Sequence, residues 1–359
     1  MEEARHRCVR DSFLARVGAS SISVTIEQMF NTAIQLINDA KKIIVIQAEN
    51  PDGDSLGSAL GLEEILGDLG KEVLLYCDVE MPKYLRYING WDRVTQDFDT
   101  SADLAIIVDT SSDTLIGKAL DLPGVRHFFE STPVLVIDHH SLVESTLSFD
   151  HTLLNEEAVA TSETLYYMAT EAGWTINAQA AESMLAAILA DSLGLSTQHT
   201  TYESYKAAAE LVKLGASPHA LESRRREFIK KSAEILKFKG DLIGRIEYFL
   251  DGKLALIHVT WDDIQQYSDQ YNPSVLVLDE MRLVQGVKLA IAIKTYPDGK
   301  LTGKLRSNDP VSEAVAGFFG GGGHAYSAGF RVYETYDKIL PELVTAVDKA
   351  LIDYESSIS

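Results

Sequence analysis

Cysteine is nearly absent: only Cys8 and Cys77 occur in 359 residues, far apart and with no metal-type spacing. That excludes a disulfide framework and a thiolate zinc site, and it suits a reducing compartment. No apolar run reaches the roughly 18 residues a membrane span needs, so no membrane partner is expected. Residues 1–21 carry charges throughout and lack an apolar core, which argues against a secretory signal. A cytoplasmic protein is expected. Positive charge is also scarce, with 32 Lys and Arg against 53 Asp and Glu, a formal net charge of −21. Proteins that grip long nucleic acid carry a basic face, so no long nucleic acid is expected as partner. One local exception is Arg282, Lys288, Lys294, Lys300, Lys304 and Arg306, six cations against Asp298 alone. Inside so acidic a chain this group points to a phosphate-facing surface.

What is present is ordinary in bulk: 46% hydrophobic and 24% charged residues, at a length that favours two domains. Short apolar runs at 43–46, 73–76, 104–108 and 134–137 alternate with longer amphipathic stretches. Runs apolar on both faces, interleaved with helices, predict a mostly parallel sheet flanked by helices in an α/β domain over 25–195. Helices are expected at 56–69, 161–171 and 178–190, then at 202–214 and 218–238, which read as a helical connector over 196–242. A smaller C-terminal α/β domain is expected over 243–357, with strands at 254–259, 287–293 and 301–305 and helices at 310–318 and 336–353. The alternation Val287, Leu289, Ile291, Ile293 predicts a strand with one buried and one wet face.

Acids and histidines recur at element ends, where open α/β sheets assemble their sites. Asn50-Pro51-Asp52-Gly53-Asp54-Ser55 follows the first run, and its glycine lets the turn aim both carboxylates at one point. The competing reading is a helix N-cap made by Asp54. Asp109 ends the 104–108 run, and Asp138-His139-His140 ends the 134–137 run. Asp191 falls at a helix C-terminus, where it opposes the macrodipole and calls for a nearby cation. Several carboxylates with an imidazole suit manganese, or magnesium, better than zinc, and two divalent ions would hold such a set together. In the second domain Gly320-Gly321-Gly322-Gly323-His324 would let backbone approach a ligand, with Arg306 offering a planar fork for phosphate.

Taken in order and spacing, these five motifs resemble the DHH phosphoesterases that carry a C-terminal DHH-associated domain, in the subgroup of nanoRNases and phosphoadenosine-phosphate phosphatases. The resemblance runs over roughly residues 25–355. It implies that Asp52 and Asp109 bind one metal and that Asp54, Asp109, His139 and Asp191 bind a second, with Asp109 bridging. His140 would then contact the scissile phosphate. Arg306, Gly321, Gly322, Gly323 and His324 would hold the rest of the substrate, a very short oligonucleotide, a dinucleotide or a small nucleotide phosphoester. A homodimer is implied by the resemblance alone.

One position departs from the pattern: Ala48 stands where the family has a histidine that ligates the first metal. A methyl group cannot coordinate, so a water, Glu49 or nothing fills the vacancy, and a weakened first site is the expectation. Two other functions follow from the same residues: a nucleotide sensor that no longer turns over, and a pyrophosphatase or polyphosphatase.

Overall fold

The computed structural model describes residues 26–140, 145–155, 157–268 and 272–358. The chain divides into two compact units, Met1–Lys230 and Lys231–Ser359.

The first unit runs α1 (Ile26–Asp39), β1 (Lys42–Ile46), α2 (Gly53–Asp68), β2 (Glu72–Tyr76), β3 (Val94–Thr95) and β4 (Leu104–Val108). It continues through α3 (Gly117–Leu120), α4 (Val125–Ser131), β5 (Val134–Asp138), β6 (Thr152–Asn155), α5 (Thr161–Glu171), α6 (Ala178–Asp191), α7 (Tyr202–Lys213) and α8 (Pro218–Phe228). The six strands form one sheet in the order β3-β2-β1-β4-β5-β6, and every pairing is parallel. Every residue of β4 and β5 is buried, because alternate side chains enter separate cores on the two faces. Ile43, Val45, Ile106 and Ile137 face one core, and Ile44, Ile46, Ile107 and Val136 the other. This is why the runs read as continuously apolar. The edge strands β3 and β6 carry no such run, and the sequence did not announce them.

β1 lies between β2 and β4, so the chain winds outward in both directions from that point. The crevice beyond the C-terminal ends of β1 and β4 is where such sheets place ligands. Its walls depend on a close helix pair. A Cβ added at Gly53, Gly57 or Gly61 of α2 would collide with Ala190, with Ser183 and Ala187, or with Met184, all on α6. Three glycines one helical turn apart therefore let α2 and α6 pack almost backbone to backbone.

The second unit contains α9 (Ala233–Ile243), β7 (Glu247–Phe249), β8 (Leu254–Val259), α10 (Trp261–Tyr267), α11 (Pro273–Arg282), β9 (Leu289–Thr295) and β10 (Leu301–Ser307). Then follow α12 (Ser312–Phe318), β11 (Gly322–His324), β12 (Ser327–Val332) and α13 (Tyr336–Ser357). Its sheet has the order β11-β12-β10-β9-β8-β7, antiparallel except for β8 with β9. The molecule is thus α/β, with a parallel sheet in one unit and a smaller mixed sheet in the other.

Two local expectations are corrected. β9 is not wet on one face: Leu289 to Ile293 are all buried, since Ala290 and Ala292 pack in one core with Leu276 and Val277 of α11. The expected helix 218–238 is broken after Phe228, and Ser232 starts a new one by accepting the Ile235 N–H at 3.1 Å. The stretch 196–242 is shared, with α7 and α8 in the first unit and α9 in the second.

Candidate metal centre

The loop after β1 turns directly into α2. Asp52 makes the N-cap, its Oδ1 accepting the N–H groups of Asp54 and Ser55 at 2.9 and 3.0 Å. The capping residue is therefore Asp52 and not Asp54. A proline before it and a glycine after it make the turn, and the cap frees Asp54 to point inward, 1% exposed. There Asp54 is held by three donors. Its Oδ1 accepts Ser58 Oγ at 3.0 Å and the Ser162 N–H at 3.3 Å, and its Oδ2 accepts the Thr161 N–H at 2.6 Å. α5 begins at Thr161 after Ala160, which has no capping side chain. Asp54, more than a hundred residues earlier in the chain, serves that helix end instead.

Asp109 follows β4 with φ of +62°, a left-handed conformation that aspartate tolerates better than most residues. Its Oδ1 accepts Thr161 Oγ1 at 3.3 Å. Asp138 ends β5, and His139 and His140 follow. His139 donates its Nδ1–H to the Ala158 carbonyl at 3.1 Å, which leaves Nε2 for the site. Around that Nε2 stand Asp109 Oδ1 at 3.4 Å, Asp191 Oδ2 at 3.5 Å and Asp54 Oδ2 at 3.6 Å. Three carboxylates from β4, α6 and α2 thus converge on one imidazole nitrogen.

The electrostatics follow from this crowding. Burial alone would lower the His139 pKa, but the Asp109 hydrogen bond and the fields of Asp54, Asp109 and Asp191 push it up to about 10. Burial and the neighbouring Asp54 raise Asp191 to about 6 and Asp109 well above the carboxylate range. A proton on His139 is thus the charge that compensates the acids when no metal is bound. The donor set fits a divalent cation: hard oxygens, one imidazole nitrogen with its tautomer fixed, and excess negative charge in a buried pocket. The neighbouring positions are underfilled as well. Both amide atoms of buried Gln47 and the hydroxyl of buried Thr110 have no hydrogen-bond partner among the described residues.

Asp52 lies close enough for its charge to raise Asp109 and Asp191, although one of its oxygens is committed to the helix cap. Ala48 is buried, 6% exposed, and its carbonyl accepts Cys77 Sγ at 3.4 Å. Glu49 is engaged elsewhere: its carboxylate accepts the Lys118 N–H at 2.6 Å and lies 3.7 Å from the Lys118 ammonium.

His140 is half exposed and donates Nδ1–H to Asp138 Oδ1 at 2.8 Å. Asp138 is 1% exposed, and the same oxygen accepts the main-chain N–H groups of His139 and His140 at 2.9 and 3.2 Å. The Asp138 hydrogen bond raises the His140 pKa. Burial pushes Asp138 up, but His140 more than offsets it and holds the carboxyl below the usual range. The pair therefore holds the imidazole in one orientation and favours its charged form. Sequence reasoning had marked the triplet but gave Asp138 no task, and it missed Thr161, Ser162 and Ser58 altogether. The triplet itself was the available signal for Asp138; no local signal identifies a helix end capped from a distant loop.

In the second unit Arg306, Gly321, Gly322 and Gly323 line one open trough of about 710 Å³, together with Lys294, Lys304, Ser327, Gly329 and Arg331. The side chain of His324 lies outside the described residues. The glycines differ in purpose. A Cβ at Gly321 would sit 2.2 Å from the Gly329 carbonyl and one at Gly323 2.6 Å from the Ser327 carbonyl, so both are needed for β12 to pass. Gly322 also lines the trough but has open space around a Cβ, so packing does not demand a glycine there. Cys77 is a buried free thiol, and Cys8 lies outside the described residues. No described helix is long and apolar enough to cross a membrane.

Comparison with known proteins bears on both units. The description "DHH family, N-terminal domain" matches residues 42–188. The bifunctional oligoribonuclease and PAP phosphatase NrnA of Bacillus subtilis is 24% identical over 317 residues, covering 87% of this chain and 96% of that protein. Its namesake in Thermus thermophilus is 26% identical over 299 residues, covering 81% and 86%. The crystal structure of an exopolyphosphatase-related protein from Bacteroides fragilis superposes with a TM-score of 0.78 at 21% identity, covering 94% of this chain and 99% of that one. The last shows a shared fold.

Proposed function

We infer that this chain, which belongs to the DHH phosphoesterase family, hydrolyses very short oligoribonucleotides and small nucleotide phosphoesters at the carboxylate–histidine cluster of its first unit. The observation that carries the reading is His139 Nε2, tautomer fixed, inside a ring of Asp54, Asp109 and Asp191 at 3.4–3.6 Å. The relatives' activities on oligoribonucleotides and on PAP supply the substrate class.

Asp54, Asp109, His139 and Asp191 would hold one divalent ion, and Asp52 with Asp109 a second, manganese being the better match to hard oxygens plus imidazole. Such ions supply Lewis acidity and lower the pKa of bound water. The chain's own residues do the rest. Asp138, kept ionised, holds His140 in one orientation and favours its charged form, so its free Nε2–H can donate to a phosphoryl or leaving oxygen as negative charge develops. Thr161 and Ser162 fix Asp54 and Asp109, so the ligands need no reorganisation when substrate arrives. Arg306 and the backbone at Gly322 bind the non-reacting part of the substrate, which makes the second unit the substrate-binding domain. A homodimer working in the cytoplasm completes the reading.

The test is mononucleotide release from a short RNA dinucleotide by metal-stripped protein, with manganese, magnesium or neither, and Asp109→Ala as control. Manganese-dependent release that vanishes in the control supports the reading. A folded protein that binds nucleotide but releases nothing with any metal would shift it to a nucleotide sensor. The feature favouring that second reading is Ala48 at the first metal position, with Glu49 already committed to Lys118. Ala48→His should then raise manganese stoichiometry and turnover. Unchanged values would remove Ala48 from the explanation.

A further inference from the structure

Two chain segments that steady the ligand cluster meet at one buried side chain, Glu163. It is 2% exposed and is the third residue of α5. Its Oε2 accepts the Val159 N–H at 3.0 Å and the Ser204 hydroxyl at 2.8 Å. Val159 stands in the middle of the turn that leads into α5. Its neighbour Ala158 supplies the carbonyl that accepts the His139 Nδ1–H at 3.1 Å. Beyond it, Thr161 and Ser162 supply the donors that hold Asp54 and Asp109. The hydrogen bond to Val159 therefore lies between the contact that fixes the His139 tautomer and the contacts that fix two carboxylates.

Ser204 carries the link further. It lies in the first turn of α7, is fully buried, and its hydroxyl oxygen also accepts the Thr201 N–H at 3.2 Å. α7 follows the loop that leaves Asp191, and the next residue, Tyr205, donates its hydroxyl to the Leu195 carbonyl of that loop at 2.9 Å. Through Glu163 the turn before α5 and the segment after Asp191 share one frame. Burying a carboxylate is costly unless donors meet it, and an apolar residue would avoid that cost. An apolar residue would not accept the Val159 N–H, and a buried N–H that loses its partner moves to find another. Ala158 and Thr161 would move with it.

We propose that Glu163 is a positioning residue for the metal centre. By holding Val159 against Ser204 it aims the Ala158 carbonyl at His139 and the start of α5 at Asp54 and Asp109. It acts through the turn and not on the reacting atoms. The assignment rests on the metal-centre reading above and adds to it a residue that lies in none of the five motifs.

The experiment uses metal-stripped full-length protein, with manganese alone as the probe. Calorimetry gives the affinity, and pulsed EPR of the manganese-loaded protein reads the nitrogen modulation of a ligating imidazole, with His139→Ala marking the His139 share. Glu163→Met has a similar length but no carboxylate to accept either donor. It should bind manganese about tenfold more weakly, with a diminished nitrogen signal. Glu163→Gln has an amide oxygen that can accept both donors, and should return both readings to within about twofold of wild type. A role in stability alone would lower Tm and leave both readings of the folded protein unchanged. A folded Glu163→Met protein that matches wild type in affinity or in nitrogen signal overturns the proposal, as does a Glu163→Gln protein as impaired as Glu163→Met. Should Glu163→Met fail to fold, Ser204→Ala removes the tie to α7, with about threefold weaker binding expected and unchanged binding overturning the proposal. Neither reading uses a nucleotide, so mononucleotide release from a dinucleotide by the wild type tests the nucleotide reading separately. If the wild type binds no manganese, the metal-centre reading fails and the proposal falls with it.

Discussion

Replacing Gly57 by alanine tests the helix packing that brings Asp54 and Asp191 together. The added Cβ would stand 2.5 Å from the Ser183 carbonyl oxygen, 2.8 Å from Ala187 Cβ and 3.1 Å from Ala187 N. Ordinary C···O contacts lie at about 3.3–3.6 Å, so α2 and α6 must part by about 1 Å. Helix propensity pulls the other way, since alanine is better than glycine in a helix interior by up to about 1 kcal/mol. Overpacking costs about 1–3 kcal/mol, and here the neighbours are backbone and a Cβ, which cannot rotate aside. The clash should therefore win, with a net loss of about 1–2 kcal/mol. For a unit of this size that is a fall in Tm of about 2–8 °C. Gly67→Ala is the internal control. It lies in the same helix with nothing within 4 Å of the added Cβ, so it should gain about 0.5 kcal/mol. Chemical denaturation of both variants, with and without manganese, reads the opposite signs. Manganese affinity should also fall in Gly57→Ala alone, because the two helices carry Asp54 and Asp191. A Gly57→Ala protein as stable as wild type, or more so, would refute the close packing and with it this account of how the acids are placed.

Three further outcomes are expected. Asp138→Asn removes the charge that keeps His140 protonated and oriented, so kcat should drop about 10–100-fold with manganese content unchanged; an unaltered pH–rate profile would contradict the role. Thr161→Val removes a hydroxyl from Asp109 while leaving the backbone N–H on Asp54, and should weaken manganese binding about threefold to tenfold in calorimetry, with Thr161→Ser retaining it. Stability of the metal-free protein should depend on pH through His139, raised to about 10 from an unfolded value near 6.5. That contribution is fully present below about pH 6.5 and lost as pH rises through about 10, so Tm of EDTA-treated protein should fall across that window. Manganese must displace the same proton, and calorimetry in two buffers at pH 8 should record its release; none would mean His139 is already neutral.

The sequence carried the two-unit α/β architecture because buried parallel strands must be apolar on both faces, and Ile43 to Ile46 and Leu104 to Val108 can be read as nothing else. It also pointed to the acids and histidines of the cluster: Asp109 and Asp138 stand where an apolar run ends, Asp52 and Asp54 in the turn after β1, and Asp191 at a helix end. It could not decide which of two nearby acids caps a helix. Asp52 takes the cap and Asp54 turns inward to the end of α5, a contact between residues far apart in the chain. Nor could it show that Ala290 and Ala292 are covered, because alternation describes one strand and not what packs on it. The glycines made the same point twice. Gly57 and Gly61 read as ordinary helix residues until α6 lies against them, and Gly321 and Gly323 show a packing need only when β12 passes beside them. Composition and periodicity are properties of a segment, and they determined the elements and the chemistry at their ends. Which carboxylate meets which imidazole depends on distances between segments, and only the tertiary structure sets those.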